Sequence, residues 1–494
     1  MSSSPGAPIP LFKMKVAQKG KIKDIKEIVV RIVGLPTCLN GQLVDLGRGV
    51  RGIVMGYDEE AVLVLALGDP TKLRMGGDVS GVDEPFLIPV SSQFVGRMLN
   101  ALGEPCDQGE SVAPEAHVPV FKDSPPITWR APVSGFLATG TKVVDSIIPL
   151  AKGQRQLIVG DRMTGKTVIA LDAILNQKGR NVLCIYCGLG KSLSALEKVV
   201  GILNERGALA YTILLAATDN APVGEQYLVP FSAASIGEYF ALQGRDVLVV
   251  FDDLTKHAWA YRQLSLLLDR PPGREAYPGD IFYVQTQLME RAGQFNAEHG
   301  GGSMTFLAVA ETLQGDLTGY IPSNLASMCD GQICTSAVFF AEGFRPAVDF
   351  TLSLSIIGSK VQPPILRELS RTLRSDFARY LEVVQLSKMQ SGVSGEAERL
   401  LKRGQAIMAV LQQMQYQPVG LVEEVVLLYA LEKGLLYDLG KAEAAQFCNT
   451  VGAFTVQQYP ALAARILETQ QLTPEVTKGL DEMLAAFVSR EAPA

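Results

Sequence analysis

The stretch QRQLIVGDRMTGKT, residues 154–167, decides the fold of the chain around it. Its first part, 156–159, is a short apolar run that suits a buried strand, and 168–176 has the apolar periodicity of a helix. Between them lies GDRMTGKT (160–167), which has the G-x4-G-K-T spacing of a phosphate-binding loop. Spacing and flanking pattern agree, so we predict a strand, a nucleotide loop and a helix in succession.

The residue types of this loop suit the binding of phosphate. Glycines let backbone N–H groups turn towards phosphate oxygens, and the following helix adds the positive end of its dipole. Lys166 is expected to neutralise the β and γ oxygens, and Thr167 to hold Mg²⁺. The candidate nucleotide-binding residues of the loop are Gly160, Asp161, Arg162, Met163, Thr164, Gly165, Lys166 and Thr167.

Composition excludes several functional classes. The 494 residues are 47% hydrophobic and 19% charged, which is enough for two to four domains with large cores. The formal net charge of −6 argues against a nucleic-acid partner. No apolar run approaches the roughly 18 residues that cross a bilayer, and the first ten residues lack the apolar core of a signal peptide. We therefore expect a soluble protein that reaches a membrane only through partners.

Seven widely spaced cysteines argue against a disulfide framework. Cys184 and Cys187 have the spacing of a metal or redox pair, but they lie in an apolar run where residues three apart on a strand point to opposite faces. Buried thiols are the better interpretation. The three histidines lie far apart in the sequence and form no visible ligand cluster.

The pattern of apolar residues changes along the chain and divides it into several regions. The predicted fold class is multidomain α/β. Short β-rich runs separated by Gly, Asp and Pro predict a small β-barrel, and alternating strands and helices from residue 151 predict a mostly parallel sheet with helices on both faces. From about residue 365 onward only helical patterns remain. The predicted regions are a flexible tail (1–20), a β-barrel (21–90), a P-loop nucleotide-binding domain of RecA-like type (91–364) and a helical domain (365–494).

A second nucleotide signal is DVLVVFDD, residues 246–253. An apolar strand that ends in acids can present a carboxylate at the edge of a parallel sheet. Asp252 is expected to reach Mg²⁺ as the acidic partner of the phosphate loop. The pattern is weak alone and gains weight from lying in the same predicted sheet.

The chain offers no evident base for ATP hydrolysis. The turn after the second predicted strand is GLGKS (188–192), and Lys191 cannot act as a base at its normal pKa. The nearest downstream carboxylate, Glu197, should lie about a turn and a half along the next helix. We infer nucleotide binding without efficient turnover, with a second acid supplied from elsewhere as the alternative.

Three longer stretches resemble the alpha subunit of rotary F-type ATP synthases. They are FDDLTKHAWAYRQLSLLLDRPPGREAYPGD (251–280), ETLQGDLTGYIPSNLASMCDGQI (311–333) and RPAVDFTLSLS (345–355). The resemblance runs from about residue 20 to the C-terminus. It implies three alpha subunits that alternate with three beta subunits around a gamma shaft, with ATP or ADP and Mg²⁺ held in alpha without turnover.

The same resemblance implies further partners and a location. Stator subunits would attach the head, and the complex would be peripheral to the cytoplasmic face of a bacterial inner membrane; the mitochondrial matrix and the plastid stroma are the alternatives. Adenine-side contacts would fall on Arg345, Pro346, Gln413 and Gln415. Ser353, Ser355 and the following Ile356 would lie where alpha meets the catalytic site of beta.

The chain departs from the family pattern at four places. Ile356 stands where an arginine usually reaches into the beta site, and such an arginine can be worth roughly 10³–10⁵ in rate. Met163 replaces the usual glutamine of the loop, and Lys191 replaces the glutamine typical of alpha. The amphipathic N-terminal helix has no counterpart before Lys21, because the segment MSSSPGAPIPLF is rich in proline.

Two other functions remain as hypotheses. A divergent paralogue could keep the assembly fold and act as a structural or regulatory scaffold, and Met163 is the residue that raises this idea. A homohexameric RecA-like motor would need its own base and arginine finger, and Lys191 and Ile356 speak against both.

Overall fold

The computed structural model describes residues 18–107, 109–387 and 395–491. Along the chain it has a β-barrel, a nucleotide-binding domain with a mostly parallel sheet, and a helical region, which confirms the predicted fold class. Residues 1–17 of the predicted tail lie outside the described residues.

The first region is a closed barrel in the strand order β1-β2-β5-β4-β3-β6. Its core is apolar, with Val30, Ile32, Val54 and Val64 fully buried. The six strands are β1 (Gln18–Lys26), β2 (Val29–Val33), β3 (Gln42–Asp45), β4 (Arg51–Tyr57), β5 (Val62–Leu67) and β6 (Asp78–Pro85).

Two strands of the barrel escaped the sequence analysis. In β1, Gln18, Gly20 and Ile22 are buried whereas the lysines between them are exposed, so the strand has the required alternation but little apolar character. The predicted tail boundary at residue 20 is therefore wrong, because it falls inside β1. The other missed strand, β6, pairs with both β1 and β3 and closes the barrel.

Short elements connect the barrel to the central sheet. The last residues of the region predicted as barrel (21–90) belong here, because Leu87–Val90 pairs with Ala116–Pro119 outside the barrel. The elements are β7 (Leu87–Val90), β8 (Met98–Leu99), β9 (Ala116–Pro119), β10 (Arg130–Ala131), β11 (Phe136–Leu137), α1 (Lys142–Ile147) and β12 (Leu150–Ala151).

The central sheet has the order β20-β19-β13-β18-β16-β14-β15-β8, and its interior pairings are parallel. Apolar residues on its two faces contribute to two separate hydrophobic clusters, so helices bury both sides. The strands are β13 (Arg155–Gly160), β14 (Val182–Lys191), β15 (Thr212–Thr218), β16 (Asp246–Asp252), β17 (Gly293–Phe295), β18 (Ser303–Glu311), β19 (Gly331–Thr335) and β20 (Leu354–Ser355).

The helices of this domain are α2 (Lys166–Leu175), α3 (Leu193–Glu205), α4 (Val223–Ala241), α5 (Leu254–Leu267), α6 (Ile281–Met289), α7 (Tyr320–Met328) and α8 (Ala337–Ala341). The predicted strand at 156–159, the predicted helix after the loop and the apolar strand that ends in acids correspond to β13, α2 and β16. Short elements after residue 280 were not predicted, because they carry little periodic signal. Both Cys184 and Cys187 are buried free thiols, as expected.

The last region is helical, as predicted, and packs onto the central domain through one shared hydrophobic cluster. Helix α12 is its centre, since Val425, Val426 and Leu427 are fully buried. The helices are α9 (Pro364–Ser370), α10 (Leu373–Ser387), α11 (Gly395–Leu411), α12 (Leu421–Glu432), α13 (Lys441–Gln458), α14 (Pro460–Thr469) and α15 (Pro474–Glu491). No helix in the described part of the chain combines the length and apolarity needed to cross a bilayer.

Candidate nucleotide-binding site

The predicted phosphate loop joins β13 to α2, and two of its glycines are required for different reasons. Gly165 precedes the first residue of α2 with φ +94°, a backbone conformation that favours glycine. At Gly160 an added Cβ would lie 2.6 Å from the carbonyl oxygen of Thr335, so no side chain fits. The loop can therefore present its backbone N–H groups at the carboxyl edge of the sheet.

Polar contacts anchor the loop to the neighbouring strands. The Thr164 hydroxyl donates to the carbonyl of Asp161 at 2.7 Å and shares a 2.6 Å hydrogen bond with the Thr335 hydroxyl. The Asp161 carboxylate accepts from the Thr312 hydroxyl at 2.7 Å and from the backbone N–H of Gly315 at 2.8 Å. These bonds hold the loop in shape from within the protein.

Lys166 lies beneath the loop. Its Nζ donates to the carbonyls of Gly160 at 2.8 Å and Asp161 at 2.6 Å, and the residue is buried. Burial lowers the pKa of Lys166. The ammonium group of Lys166 is thus hydrogen-bonded to the backbone of the loop that would bind the phosphates.

Met163 projects from the loop into solvent. It is 88% exposed and has φ +61°, so its thioether contacts little of the protein. The adjacent Arg162 pairs with Glu311 at 2.9 Å and lies over the Trp259 ring at 5.8 Å. Glu311 was not singled out in the sequence; its position as the last residue of β18, beside β13, is the signal that could have found it.

Asp252 lies at the end of β16, beside the loop, and one of its oxygens collects three donors. Its Oδ2 accepts hydrogen bonds from the Thr167 hydroxyl at 2.8 Å and the Tyr186 hydroxyl at 2.9 Å. The third donor is Lys191, whose Nζ lies 2.8 Å from the same oxygen. Burial and the nearby carboxylate raise the pKa of Tyr186 well above its ordinary value, so its hydroxyl keeps its proton.

Lys191 reaches Asp252 because of a bulge at the end of β14. The pairing of β14 with β15 shifts between Leu189 and Lys191, and the intervening Gly190 has φ +56°. The Lys191 Nζ also lies 3.3 Å from the Thr167 hydroxyl oxygen. The sequence analysis showed that Lys191 cannot act as a base at this position, but it did not predict the contact of Lys191 with Asp252.

The predicted magnesium ligands therefore do not fit a resident ion as the side chains lie. Thr167 and Asp252 converge, but an ammonium group already contacts both. Among residues 18–107, 109–387 and 395–491, no cluster of three His, Cys, Asp or Glu side chains offers an alternative metal site.

Two other carboxyl groups lie near the loop. Asp253 accepts a hydrogen bond from the backbone N–H of Lys256 at 2.9 Å and caps α5, and burial raises the pKa of Asp253 to about 7. Glu311 is held by Arg162. Glu197, in contrast, lies exposed on α3. Asp253 and Glu311 are the groups through which the alternative of a second acid can be tested.

The predicted adenine-side residues come together at the junction with the helical region. The Gln413 amide donates to the carbonyl of Gly140 at 2.7 Å and accepts from the N–H of Lys142 at 2.9 Å, so its polar atoms join the two regions. The backbone N–H of Gln413 donates to the carbonyl of Arg345 at 2.8 Å. Gln415, in the same segment, is exposed, and the half-buried Pro346 follows Arg345.

The two serines predicted at an interface with a neighbouring chain bond within their own chain. Ser353 is fully buried; its hydroxyl donates to the carbonyl of Asp349 at 2.6 Å and accepts from the N–H of Cys334 at 2.9 Å. Ser355 donates to the carbonyl of Pro149 at 2.6 Å.

The Ser353 side chain is buried and bonds within its own chain, and its predicted place at the interface with beta stays a prediction. The exposed residues of this edge are apolar instead: Leu352 is 54%, Leu354 41% and Ile356 63% exposed. Arg367, which follows, donates to the carbonyls of Lys360 and Gln362. Of the three predicted interface residues, Ile356 alone offers its side chain freely to solvent.

Three family models match successive parts of the chain. The β-barrel domain of the ATP synthase alpha/beta family matches residues 15–81, its nucleotide-binding domain matches 140–355, and the C-terminal domain of the ATP synthase alpha/beta chain matches 362–487.

Individual relatives agree over almost the whole length. ATP synthase subunit alpha of Caldanaerobacter subterraneus subsp. tengcongensis is 38% identical over 481 residues, 97% of this chain and 95% of the relative. The subunit alpha of Clostridium botulinum is 39% identical over 477 residues, 96% and 94% of the two chains, and that of Clostridium acetobutylicum 39% over 485 residues, 97% and 96%. The similarity thus extends over all three regions of the chain.

Proposed function

Since this chain belongs to the family of ATP synthase alpha subunits, we propose that it is a non-catalytic, nucleotide-binding alpha subunit of an F-type ATP synthase head. The proposal that the site is non-catalytic rests on the position of Lys191. Its ammonium group lies 2.8 Å from Asp252, at the place in the sequence where a glutamate would be needed to activate water.

The proposed ligand is ATP or ADP in the loop Gly160–Thr167. Backbone N–H groups of the loop and Lys166 would bind the phosphates, and the positive end of α2 favours negative charge at the same place. On the adenine side we propose Arg345, Pro346, Gln413 and Gln415; the bonds of Gln413 to Gly140 and Lys142 support a positioning role for that residue. Mg²⁺ at Thr167 and Asp252 was the sequence prediction, and Lys191 argues against it.

The proposed partners follow from the relatives. Three copies would alternate with beta subunits around a gamma shaft, and stator subunits would hold this head at the cytoplasmic face of a bacterial membrane. We also propose domain limits close to those predicted, with a barrel that ends near residue 85 instead of 90 and a helical domain that begins near 365. The last barrel strand, which ends at Pro85, and helix α9, which begins at Pro364, support these limits.

The chain's own residues can bind and orient a nucleotide but lack a group to activate water at Lys191. We expect the purified chain to bind ATP and to hydrolyse it no faster than a Lys166→Ala variant, which should not retain nucleotide. Brisk hydrolysis by the isolated chain would overturn the proposal. If hydrolysis then disappeared in Asp253→Asn or Glu311→Gln, that carboxyl group would be the second acid.

At the interface with beta, Ile356 would contribute no positive charge. We expect an Ile356→Arg variant, assembled with beta and gamma subunits, to hydrolyse ATP at least about tenfold faster than the unaltered assembly, because an arginine supplied in trans can be worth 10³–10⁵ in rate. The control is Ile127→Arg, since Ile127 is 85% exposed and distant from Ile356 in the sequence. Equal rates in all three assemblies would show that the missing arginine does not limit this complex.

A structural or regulatory scaffold of an F-type-like ATPase is the second candidate. It is favoured by the exposed Met163, which brings no polar atom to the phosphates. Nucleotide that remains bound after gel filtration, compared with Lys166→Ala, separates the two functions. An empty wild-type chain would favour the scaffold.

A further inference from the structure

We propose that the ammonium group of Lys191 is a built-in cation that takes the place of Mg²⁺, so that this site binds ATP without a divalent metal ion. The inference rests on the proposed nucleotide-binding function. It concerns the cation that accompanies the nucleotide: the family resemblance implies Mg²⁺, and the arrangement of the residues around Asp252 argues against it.

The first support is the position of the charge. Lys191 Nζ lies 2.8 Å from Asp252 Oδ2 and 3.3 Å from Thr167 Oγ1. These are the two oxygen groups that a phosphate loop ordinarily turns towards its metal ion, and they lie 2.8 Å from each other. The ammonium group and a magnesium ion would thus compete for the same pair of ligands.

The second support is that the backbone aims the side chain there. The bulge at Gly190 turns Lys191 towards the loop, and the carbonyl of Lys191 accepts a hydrogen bond from the N–H of Asp219 at 3.1 Å. The side chain of Lys191 is only 21% exposed, so its stem is packed. A surface lysine that happened to reach Asp252 would have neither feature.

The third support is charge balance. The side chain of Asp252 is 2% exposed, and a buried carboxylate is costly without a partner of opposite charge. Lys191 supplies that charge, while Tyr186 and Thr167 supply hydrogen bonds. A magnesium ion at this oxygen would have to displace the ammonium group or lie against it, and like charges at that distance repel.

The consequence for a bound nucleotide is direct. Lys191 adds one positive charge to that of Lys166 at the phosphate end of the site, where Mg²⁺ would add two. Lysine is a compact point charge with three donors, so it can bind an anion without fixed octahedral geometry. We expect the affinity for ATP to depend little on magnesium.

The test measures binding of ATP to the full-length chain by calorimetry, in buffer with excess Mg²⁺ and in buffer with EDTA. Wild-type affinities in the two buffers should agree within about threefold. For Lys191→Gln, the affinity in EDTA should fall at least about tenfold and recover in Mg²⁺, since a hydrogen bond to a charged group is worth about 1.5–3 kcal/mol. Lys198→Gln, an exposed lysine on α3, is the matched control and should behave as wild type.

A second readout uses Mn²⁺ in place of Mg²⁺ and its electron paramagnetic resonance signal. With ATP present, Lys191→Gln should immobilise about one Mn²⁺ per chain, and the wild-type protein should not. Wild-type protein that binds ATP only with Mg²⁺, or that immobilises Mn²⁺ as the variant does, would overturn the inference and leave nucleotide binding intact. Wild-type protein that binds no ATP in either buffer would overturn the proposed function itself. Because both decisive comparisons need the wild-type chain alone, a misfolded variant would not remove the test.

Discussion

Two buried pairs of a cation and a carboxylate lie in the central domain, and they differ in what surrounds the cation. Arg291 and Glu238 are 2.9 Å apart with side chains 1% and 2% exposed. Lys191 and Asp252 are 2.8 Å apart, but the lysine side chain is 21% exposed. The first pair is enclosed by protein, whereas the second lies beside the phosphate loop.

The hydrogen bonds of the two cations explain the difference. Arg291 donates to Glu238, to the Ser235 hydroxyl at 2.9 Å and to the carbonyl of Val120 at 3.2 Å, so its guanidinium joins α4 to the segment after β9. Lys191 has three donors, and its polar contacts within the described part of the chain are only with Asp252 and Thr167. A fully satisfied cation is structural, and a cation with donors to spare is available to a ligand.

The largest expected effect on stability comes from breaking the enclosed pair. Arg291→Met leaves Glu238 with Lys122 as its remaining cation, at 2.6 Å. Breaking a buried pair costs about 3–5 kcal/mol, and we expect a lower urea midpoint of unfolding by circular dichroism. Arg399→Met, at an exposed arginine of α11, should leave the midpoint unchanged. A midpoint for Arg291→Met equal to that of the control would mean that the pair does not stabilise the domain.

A buried carboxyl group that forms no ion pair with another described residue sharpens the comparison. Asp172 on α2 is buried, its Oδ1 lacks a hydrogen-bond partner, and burial raises the pKa of Asp172 to about 7. The group is thus neutral in the folded protein at low pH and must carry a charge above pH 7. Its contribution to stability is present below its unfolded pKa of about 4 and is lost as the pH rises through about 7.

Asp172→Asn should remove this pH dependence. We expect the variant to be more stable than wild type at pH 8, by at most about 4 kcal/mol, and to lose the advantage gradually as the pH falls from about 7 to about 4. The measurement is the urea midpoint across that range, with Asp219→Asn, an exposed aspartate, as the control. A constant difference at all pH values would contradict the assignment.

A smaller effect is expected from Ser353→Ala. The substitution leaves the backbone N–H of Cys334 and the carbonyl of Asp349 without their hydroxyl partner, which costs about 1–3 kcal/mol. Because Ser353 is buried, binding to a beta subunit should not change when the variant is folded. Thr351→Ala, on the exposed turn before it, is the matched control. Weaker assembly without lower stability would place Ser353 at the interface.

The smallest effect concerns the loop itself. Met163→Gln places an amide where the thioether is now exposed, and the positive φ is equally tolerated by both residues. One additional hydrogen bond to a phosphate is worth about 0.5–1.5 kcal/mol, so ATP affinity should rise about two- to tenfold with the urea midpoint unchanged. Calorimetry with Met163→Leu as the control measures this. An unchanged affinity would show that position 163 does not face the nucleotide.

Sequence patterns were reliable where one local signal sufficed. The loop, the two strands beside it (β13 and β16) and the helical region were located because apolar periodicity and glycine spacing act within a few residues. Strand β1 was missed because lysines alternate with its buried residues and lower its apolar character. Strand β6 was missed because it is defined by its pairing with β1, which closes the barrel, and not by a hydrophobic pattern of its own. The surroundings of a single side chain were hardest to predict, since nothing in the sequence showed that Ser353 is buried.

What the sequence determined by itself is therefore the order of the three regions and the chemistry of the phosphate loop, since both depend on neighbours along the chain. The tertiary structure alone decided that Lys191 meets Asp252 and that Ser353 turns inward. The first contact joins β14 to β16, and the second joins the residue before β20 to β19; a strand's register or a one-residue bulge sets which side chains meet across the sheet.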